Sequence, residues 1–234
     1  MIKDSVQAFV PAFNEEATIK TVLERTHEVL KKHCLNFEVL AYDDASTDST
    51  PRIMDEFART HKNVKVVHQK KNGGGWGPMV RNAFLQASHD WIVIVDSDMQ
   101  FDPYDLEKFM PHLKDYDLLI SGRLNRKDNL ARKLITFTDK FLLRLLFSVS
   151  FYDLHWIKFI RTKYIDKKTI TGDSPFVETD ILIRAKMKGA RIKQFYLPHY
   201  PRLHGQATGA SLKNIYNSLR DMLSLYFKLK MARG

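Results

Sequence analysis

The chain has 234 residues, enough to bury one sizeable core, either as a single large α/β domain or as a domain with an appended piece. Lys and Arg number 37 against 27 Asp and Glu, and the formal net charge of +10 points to nucleotide phosphates, anionic lipid head groups or nucleic acid without choosing among them. A single cysteine, Cys34, excludes an internal disulfide and a cysteine-built zinc site and fits a reducing compartment, while the lack of about 18 consecutive apolar residues or of a signal-like leader makes the expectation a soluble or peripheral cytoplasmic protein.

In chain order, residues 6 to 10 (VQAFV) read as a first strand, and Pro11 to Glu16 (PAFNEE) as a turn opening a helix from about Ala17 to Lys32. Asn14 is the natural N-cap of that helix, with Glu15 and Glu16 favourable in its first turn. A strand at Phe37 to Tyr42 runs into DDASTDSTP, where Asp48 or Ser49 can cap a helix from Pro51 to about Thr60. Capping leaves Asp43 and Asp44 unexplained. Adjacent acids at the end of a buried strand suit a ligand instead, such as the hydrogen-bond donors of a base or a ribose.

Val64 to His68 is a third strand, followed by KKNGGGWGPMVRNAF. Its glycines, Gly74 among them, allow a ligand close to the backbone, and the next helix, carrying Arg81, presents its amino end to phosphate. No G-K-[ST] closes the loop, so it is not a Walker loop, and composition alone leaves a plain surface loop equally open.

Trp91 to Pro103, WIVIVDSDMQFDP, is the organising stretch. Its β-branched and aromatic run lacks polar alternation, as in a central parallel strand covered on both faces, and it stops on Asp96, Ser97 and Asp98. Ligands bind just beyond the carboxyl ends of such strands, and two close carboxylates are most readily stabilised by a divalent cation, Mg²⁺ or Mn²⁺. Gln100 can reach the same point. A solvated turn with Asp98 as a helix cap is the competing explanation for an isolated D-x-D. A helix from Tyr104 to Leu113 and a strand at Leu118 to Ser121 follow, so strand and helix alternate four times, as in a doubly wound, mostly parallel sheet.

Residues 123 to 151 change character. Leu134, Ile135, Phe137, Phe141, Leu142, Leu145 and Leu146 alternate with Arg132, Lys133, Lys140 and Arg144 as in an amphipathic helix with a basic side. Such a helix can pack on the core, on a partner or in a membrane interface. Leu212 to Lys230 has the same character and defines a division into residues 1–211 and a C-terminal basic helix, 212–234, in the same domain or as a membrane-facing appendage. Between them lie an extended DLHWIKFIR segment, a helix opened by Pro175 and Glu178 and ended by Gly189, and a strand from Ile192 to Leu197. Glu178 and Asp180 suit the start of that helix. His199, Arg202 and His204 lie on a Pro- and Gly-rich loop, where gathered cations suit a phosphate.

Taken together, VPAFNEE, YDDASTDST, KNGGGWG, VDSDMQFDP, ETDIL and PRLHGQATG, in that order and over nearly the whole chain, resemble the family 2 glycosyltransferases of the GT-A nucleotide-diphospho-sugar transferase fold. The resemblance is strongest to the dolichol-phosphate mannose synthase-like branch. It implies an inverting, Mg²⁺- or Mn²⁺-dependent transfer of a hexose from a GDP- or UDP-linked sugar to a polyprenyl phosphate, at the cytoplasmic face of a membrane. Pro11, Ala12, Asn14, Glu15 and Asp44 would hold base and ribose, with Gly74, Arg81 and Ser97 also on the donor. Asp96, Asp98 and Gln100 would hold the metal, and Arg202 would meet a donor or acceptor phosphate. Asp180 stands where relatives carry an acid for acceptor activation. The alternatives are a hydroxyl acceptor, with Asp180 or Glu178 as general base, and a nucleotide- or nucleic-acid-binding module without transfer activity. Scattered basic residues and aromatics held in apolar runs speak against nucleic acid, and a first turn without glycine or lysine speaks against a nucleotidyltransferase.

Overall fold

The computed structural model describes residues 1–124, 130–154, 156–201 and 212–231. Its centre is a seven-stranded sheet in the order β3-β2-β1-β4-β6-β5-β7. β1 (Val6–Ala12) and β2 (Phe37–Asp43) are buried along their whole length, with the polar side chains Gln7 and Glu38 hydrogen-bonded to each other at 2.9 Å. With β3 (Val64–His68) and β4 (Trp91–Ile94) they form a parallel block. β5 (Leu118–Leu124) and β7 (Ile192–Pro198) are parallel to each other, and β6 (Lys158–Arg161) lies between β4 and β5, antiparallel to both. The end of the DLHWIKFIR segment, Lys158–Arg161, is thus the strand that joins the two parallel blocks.

Alternate residues of each strand feed two cores. Ala8, Val10, Val39 and Val93 face the side covered by α1 (Ile19–His33) and α2 (Thr50–Thr60). Phe9, Leu40, Ile92 and Ile94 face α3 (Trp76–Gln86) and α5 (Phe176–Met187). α5 is buried nearly all round, between α3 and the C-terminal helix α6 (Leu212–Met231), which buries Met222 and Leu225. The remaining helix, α4 (Leu130–Phe147), buries Leu143 and sets Phe147 against Tyr226 of α6, ring centroids 6.1 Å apart. It leaves Leu134, Phe137, Phe141 and Leu145 in the open. Among the described residues no helix is long and apolar enough to cross a membrane.

Two local expectations are corrected. The first helix begins at Ile19 with Thr18 before it, so Asn14 is not its cap, and Glu15 and Glu16 lie outside its first turn. The stretch after Pro103 forms two 3₁₀ turns, Pro103–Lys108 and Met110–His112, instead of one α-helix. Pro111 lacks the N–H that an α-helical ladder needs, so the chain tightens to i→i+3 bonds. On the second helix, Asp48 rather than Ser49 supplies the capping bond, accepting from Thr50 N–H at 2.9 Å.

Candidate active site

The chain runs from β1 outward to β2 and β3, then returns to β4 on the other flank of β1, so a topological switch point opens between β1 and β4 at their carboxyl ends. Pro11 and Ala12 close β1 there, Asp43 and Asp44 follow on β2, and Asp96 to Asp98 follow β4. The turns after β1 and β2 are laced together. Asn14, with φ of 56°, accepts from Thr47 N–H at 2.8 Å and donates its own N–H to Ser46 Oγ at 3.0 Å. Glu15 N–H donates to Thr50 Oγ1, and Glu16 accepts from Ser49 N–H. These two turns therefore form one rigid rim.

The two acids of β2 have different situations. Asp43 is satisfied by Ser46 N–H and by the His68 ring, 2.9 Å from each, and this carboxylate holds the His68 pKa above its usual value. Asp44 accepts from Gly73 N–H at 2.8 Å through Oδ1, while its Oδ2 is buried without a hydrogen-bond partner among the described residues. Burial raises its pKa, opposed by the Gly73 bond. A buried carboxylate oxygen with an open lone pair is what a base or ribose donor needs.

The glycine loop closes over the same edge. Gly74 and Gly75 adopt φ of 87° and 113°, the left-handed region glycine tolerates. Gly77 meets the segment entering α5 so closely that a Cβ there would lie 2.0 Å from the Asp173 carbonyl oxygen. Arg81, one turn further, places Nε 3.2 Å from Asp173 Oδ1. The glycine loop and the segment entering α5 are thus physically joined.

Beyond β4, Ser97 and Asp98 are buried, and Met99 at φ 56° bends the chain so that Asp98 accepts from Gln100 N–H at 3.0 Å. The end of β7 meets this turn: Tyr200 N–H donates to the Gln100 carbonyl, and His199 Nε2 lies 3.3 Å from Gln100 Nε2. Asp96 lines a small cavity with Trp76, Ile94, Trp156, Lys158 and Glu178. Burial, then the charges of Asp98 and Glu178, push its pKa up to about 8, against the pull of Lys158 and Arg123. Lys158 is itself buried, donating to Glu178 and to the Trp156 carbonyl, each at 2.7 Å. Arg123 clasps Asp153 with two hydrogen bonds of 2.7 and 2.9 Å and lies 5.2 Å over the Trp156 ring.

The acid of α5 whose charge acts on Asp96 is Glu178. Asp180 pairs with Arg184, and the other charges around it are Lys228 and Asp221 of α6; burial raises its pKa. Arg202 and His204 lie outside the described residues. Sequence reasoning did not single out Lys158 and Arg123. A lone lysine inside the apolar run WIKFI was the available signal for the first, and the second had none.

No three His, Cys, Asp or Glu side chains among the described residues form a ready metal cluster. Asp96 and Asp98 nonetheless suit Mg²⁺ or Mn²⁺, which bind through one or two carboxylates and complete their shell with phosphate oxygens and water, while the Gln100 side chain is turned to His199.

The family model described as glycosyl transferase family 2 matches residues 8–174. The chain belongs to that family. Over 232 residues it is 26% identical to the dodecaprenyl-phosphate galacturonate synthase of Rhizobium johnstonii, covering 94% of this chain and 66% of that protein. Over 148 residues it is 29% identical to the undecaprenyl-phosphate 4-deoxy-4-formamido-L-arabinose transferase of Pectobacterium atrosepticum, covering 62% of this chain and 45% of that protein. It therefore spans about two thirds of the length of one such relative and under half of the other. The glucosyl-3-phosphoglycerate synthase of Mycobacterium tuberculosis, solved with Mn²⁺, UDP-glucose and phosphoglyceric acid, superposes with a TM-score of 0.71 at 19% identity, covering 95% of this chain and 80% of that one. The family 2 chain thus has the GT-A fold, as its motifs implied.

Proposed function

We propose that this family 2 chain transfers a hexose, with inversion, from a nucleotide-diphospho-sugar to the phosphate of a polyprenyl carrier. The observation that carries the reading is the crowded acid pair Asp96 and Asp98 at the switch point, facing a rim on which Asp44 offers an unpartnered oxygen. Relatives named for dodecaprenyl and undecaprenyl phosphate support the carrier, and the UDP-glucose complex of the fold neighbour supports the donor class.

On this reading Asp44 Oδ2 accepts from base or ribose, with Pro11, Ala12, Asn14 and Glu15 forming the rim that holds them. Gly74 and the amino end of α3 let the diphosphate approach backbone N–H groups, with Arg81 and Ser97 beside it. Asp96, Asp98 and Gln100 hold the divalent cation, which when bound supplies Lewis-acid stabilisation of charge on the leaving diphosphate. Arg202 meets a phosphate of donor or acceptor. The acceptor phosphate is already ionised at neutral pH, attacks the anomeric carbon from the face opposite the leaving group, and needs no base, so Asp180 only positions groups. A hydroxyl acceptor is the second reading. What favours it is Glu178, held by Lys158 within reach of Asp96's charge, as a carboxylate placed to take a proton.

The reading includes a membrane face and treats α6 as a helix docked on the catalytic domain. Leu134, Phe137, Phe141 and Leu145 share one exposed stripe of α4, and exposed Lys133, Lys140 and Arg144 flank it. Thermal melting with a panel of UDP- and GDP-sugars and Mn²⁺ identifies the donor by the ligand that stabilises the fold. Transfer to undecaprenyl phosphate, but not to a soluble hydroxyl acceptor, is the expected result; transfer only to hydroxyls overturns the carrier reading.

A further inference from the structure

Two tyrosines are stacked in the open on the same edge of the sheet, outside the acid cluster. The rings of Tyr152 and Tyr196 have centroids 4.8 Å apart and planes 11° from parallel, and the residues are 42% and 51% exposed. The pair is tightly seated. Gly122 pairs in register with Tyr196 on the neighbouring strand, and a Cβ on it would lie 2.8 Å from Tyr196 Cε1 and 3.1 Å from Tyr152 Cβ. Tyr152 is also held through its backbone, its N–H donating to Gln194 Oε1 and its carbonyl accepting from Lys140 Nζ, both at 2.7 Å. Exposed aromatic surface held this firmly marks a contact site.

Its position narrows the ligand. On one side Gly122 leads into Arg123, which stacks over Trp156; the Trp156 ring lies 5.2 Å from His199, which reaches Gln100 beside Asp98. On the other side Lys140 belongs to α4, where Phe137 and Phe141 stand exposed 6.5 Å apart. A molecule lying on the tyrosines would therefore have one end at the acid cluster and the other at an apolar helix face with basic flanks. A saccharide there would require open hydrogen-bonding groups around the rings. Among the described residues, the Gln194 amide is engaged by Tyr152 and Ser150, and Asp153 by Arg123.

We infer that Tyr152 and Tyr196 form the docking site for the first isoprene units of a prenyl phosphate acceptor, aligning the chain so that its phosphate reaches the acid cluster. This rests on the carrier reading above. The test compares calorimetric binding of farnesyl phosphate and isopropyl phosphate to the wild type and to the Tyr152→Ser, Tyr196→Ser double variant. Both side chains are half exposed, so a native melting profile is expected. The wild type should favour the longer chain, and the double variant should lose about tenfold in farnesyl phosphate affinity, the effect of roughly 1.4 kcal/mol of apolar contact, with isopropyl phosphate unchanged. Tyr152→Phe with Tyr196→Phe should restore it. Gly122→Ala, which displaces the Tyr196 ring, should reproduce the loss in part. An unchanged preference, or an equal loss for both ligands, overturns the docking site. Failure of the wild type to bind either phosphate overturns the carrier reading itself, and with it the assignment of the tyrosines.

Discussion

Asp96→Asn should make the metal-free protein more stable at pH 8, although it removes a residue from the centre of the site. The folded state raises the Asp96 pKa to about 8, against roughly 4 for an ordinary carboxylate. A group whose pKa is raised on folding binds its proton more tightly in the native state, so stability falls as pH rises between those two values. At about 1.4 kcal/mol per unit, the upper bound is about 5 kcal/mol above pH 8. Because Asp98 and Glu178 share the crowding and the site can relax, substitution should recover about 1–3 kcal/mol of that. For a chain of this size this is a rise in melting temperature of roughly 2–10 °C. The assay is thermal unfolding in EDTA from pH 5 to 9, repeated with Mn²⁺. Wild type should lose stability across the range and regain it with Mn²⁺; Asp96→Asn should melt higher at pH 8, with a flatter pH profile and little response to the cation. A variant that melts lower than wild type at pH 8 in EDTA, with the same slope, would refute the crowded-acid account.

Asp44→Ala should weaken UDP binding at least tenfold with and without Mn²⁺, since a hydrogen bond to a charged group contributes about 1.5–3 kcal/mol; a loss seen by calorimetry only with the cation present would place Asp44 against the metal instead. Gly77→Ala should destabilise by about 1–3 kcal/mol, because its Cβ would meet the Asp173 carbonyl at 2.0 Å, and chemical denaturation measures it. The protein should co-float with anionic vesicles at low salt and be released at high salt, and Arg144→Glu with Lys228→Glu should weaken flotation while nucleotide binding stays intact. A wild type that stays wholly in the soluble fraction counts against the membrane face.

Much of the fold was legible because it is written in local patterns. The largely apolar runs at Val6 to Val10 and Phe37 to Tyr42 and the unbroken one at Trp91 to Val95 read as strands, and the acids and glycines that follow them mark the strand ends. The parallel block and its acidic edge follow from that alternation alone. The GT-A fold followed from the order of the motifs.

What needed the tertiary structure was every pairing between distant segments. Asn14 is a reasonable helix cap in its own local sequence, but its side chain is taken by Thr47, 33 residues away. His199 meets Gln100 across 99 residues because β4 and β7 run in the same direction in one sheet, so the turns beyond their carboxyl ends lie on the same edge. Glu178 and Asp180 look equivalent in ETDIL, yet two residues along a helix turn a side chain by about 200°, so α5 directs one toward Asp96 and the other toward α6. The sequence by itself determined which carboxylates stand at strand ends, because strand periodicity and turn chemistry are local. Which carboxylates act on one another was decided by the sheet order and the rotation of α5, since side-chain charges couple through space at a few ångströms regardless of their separation along the chain.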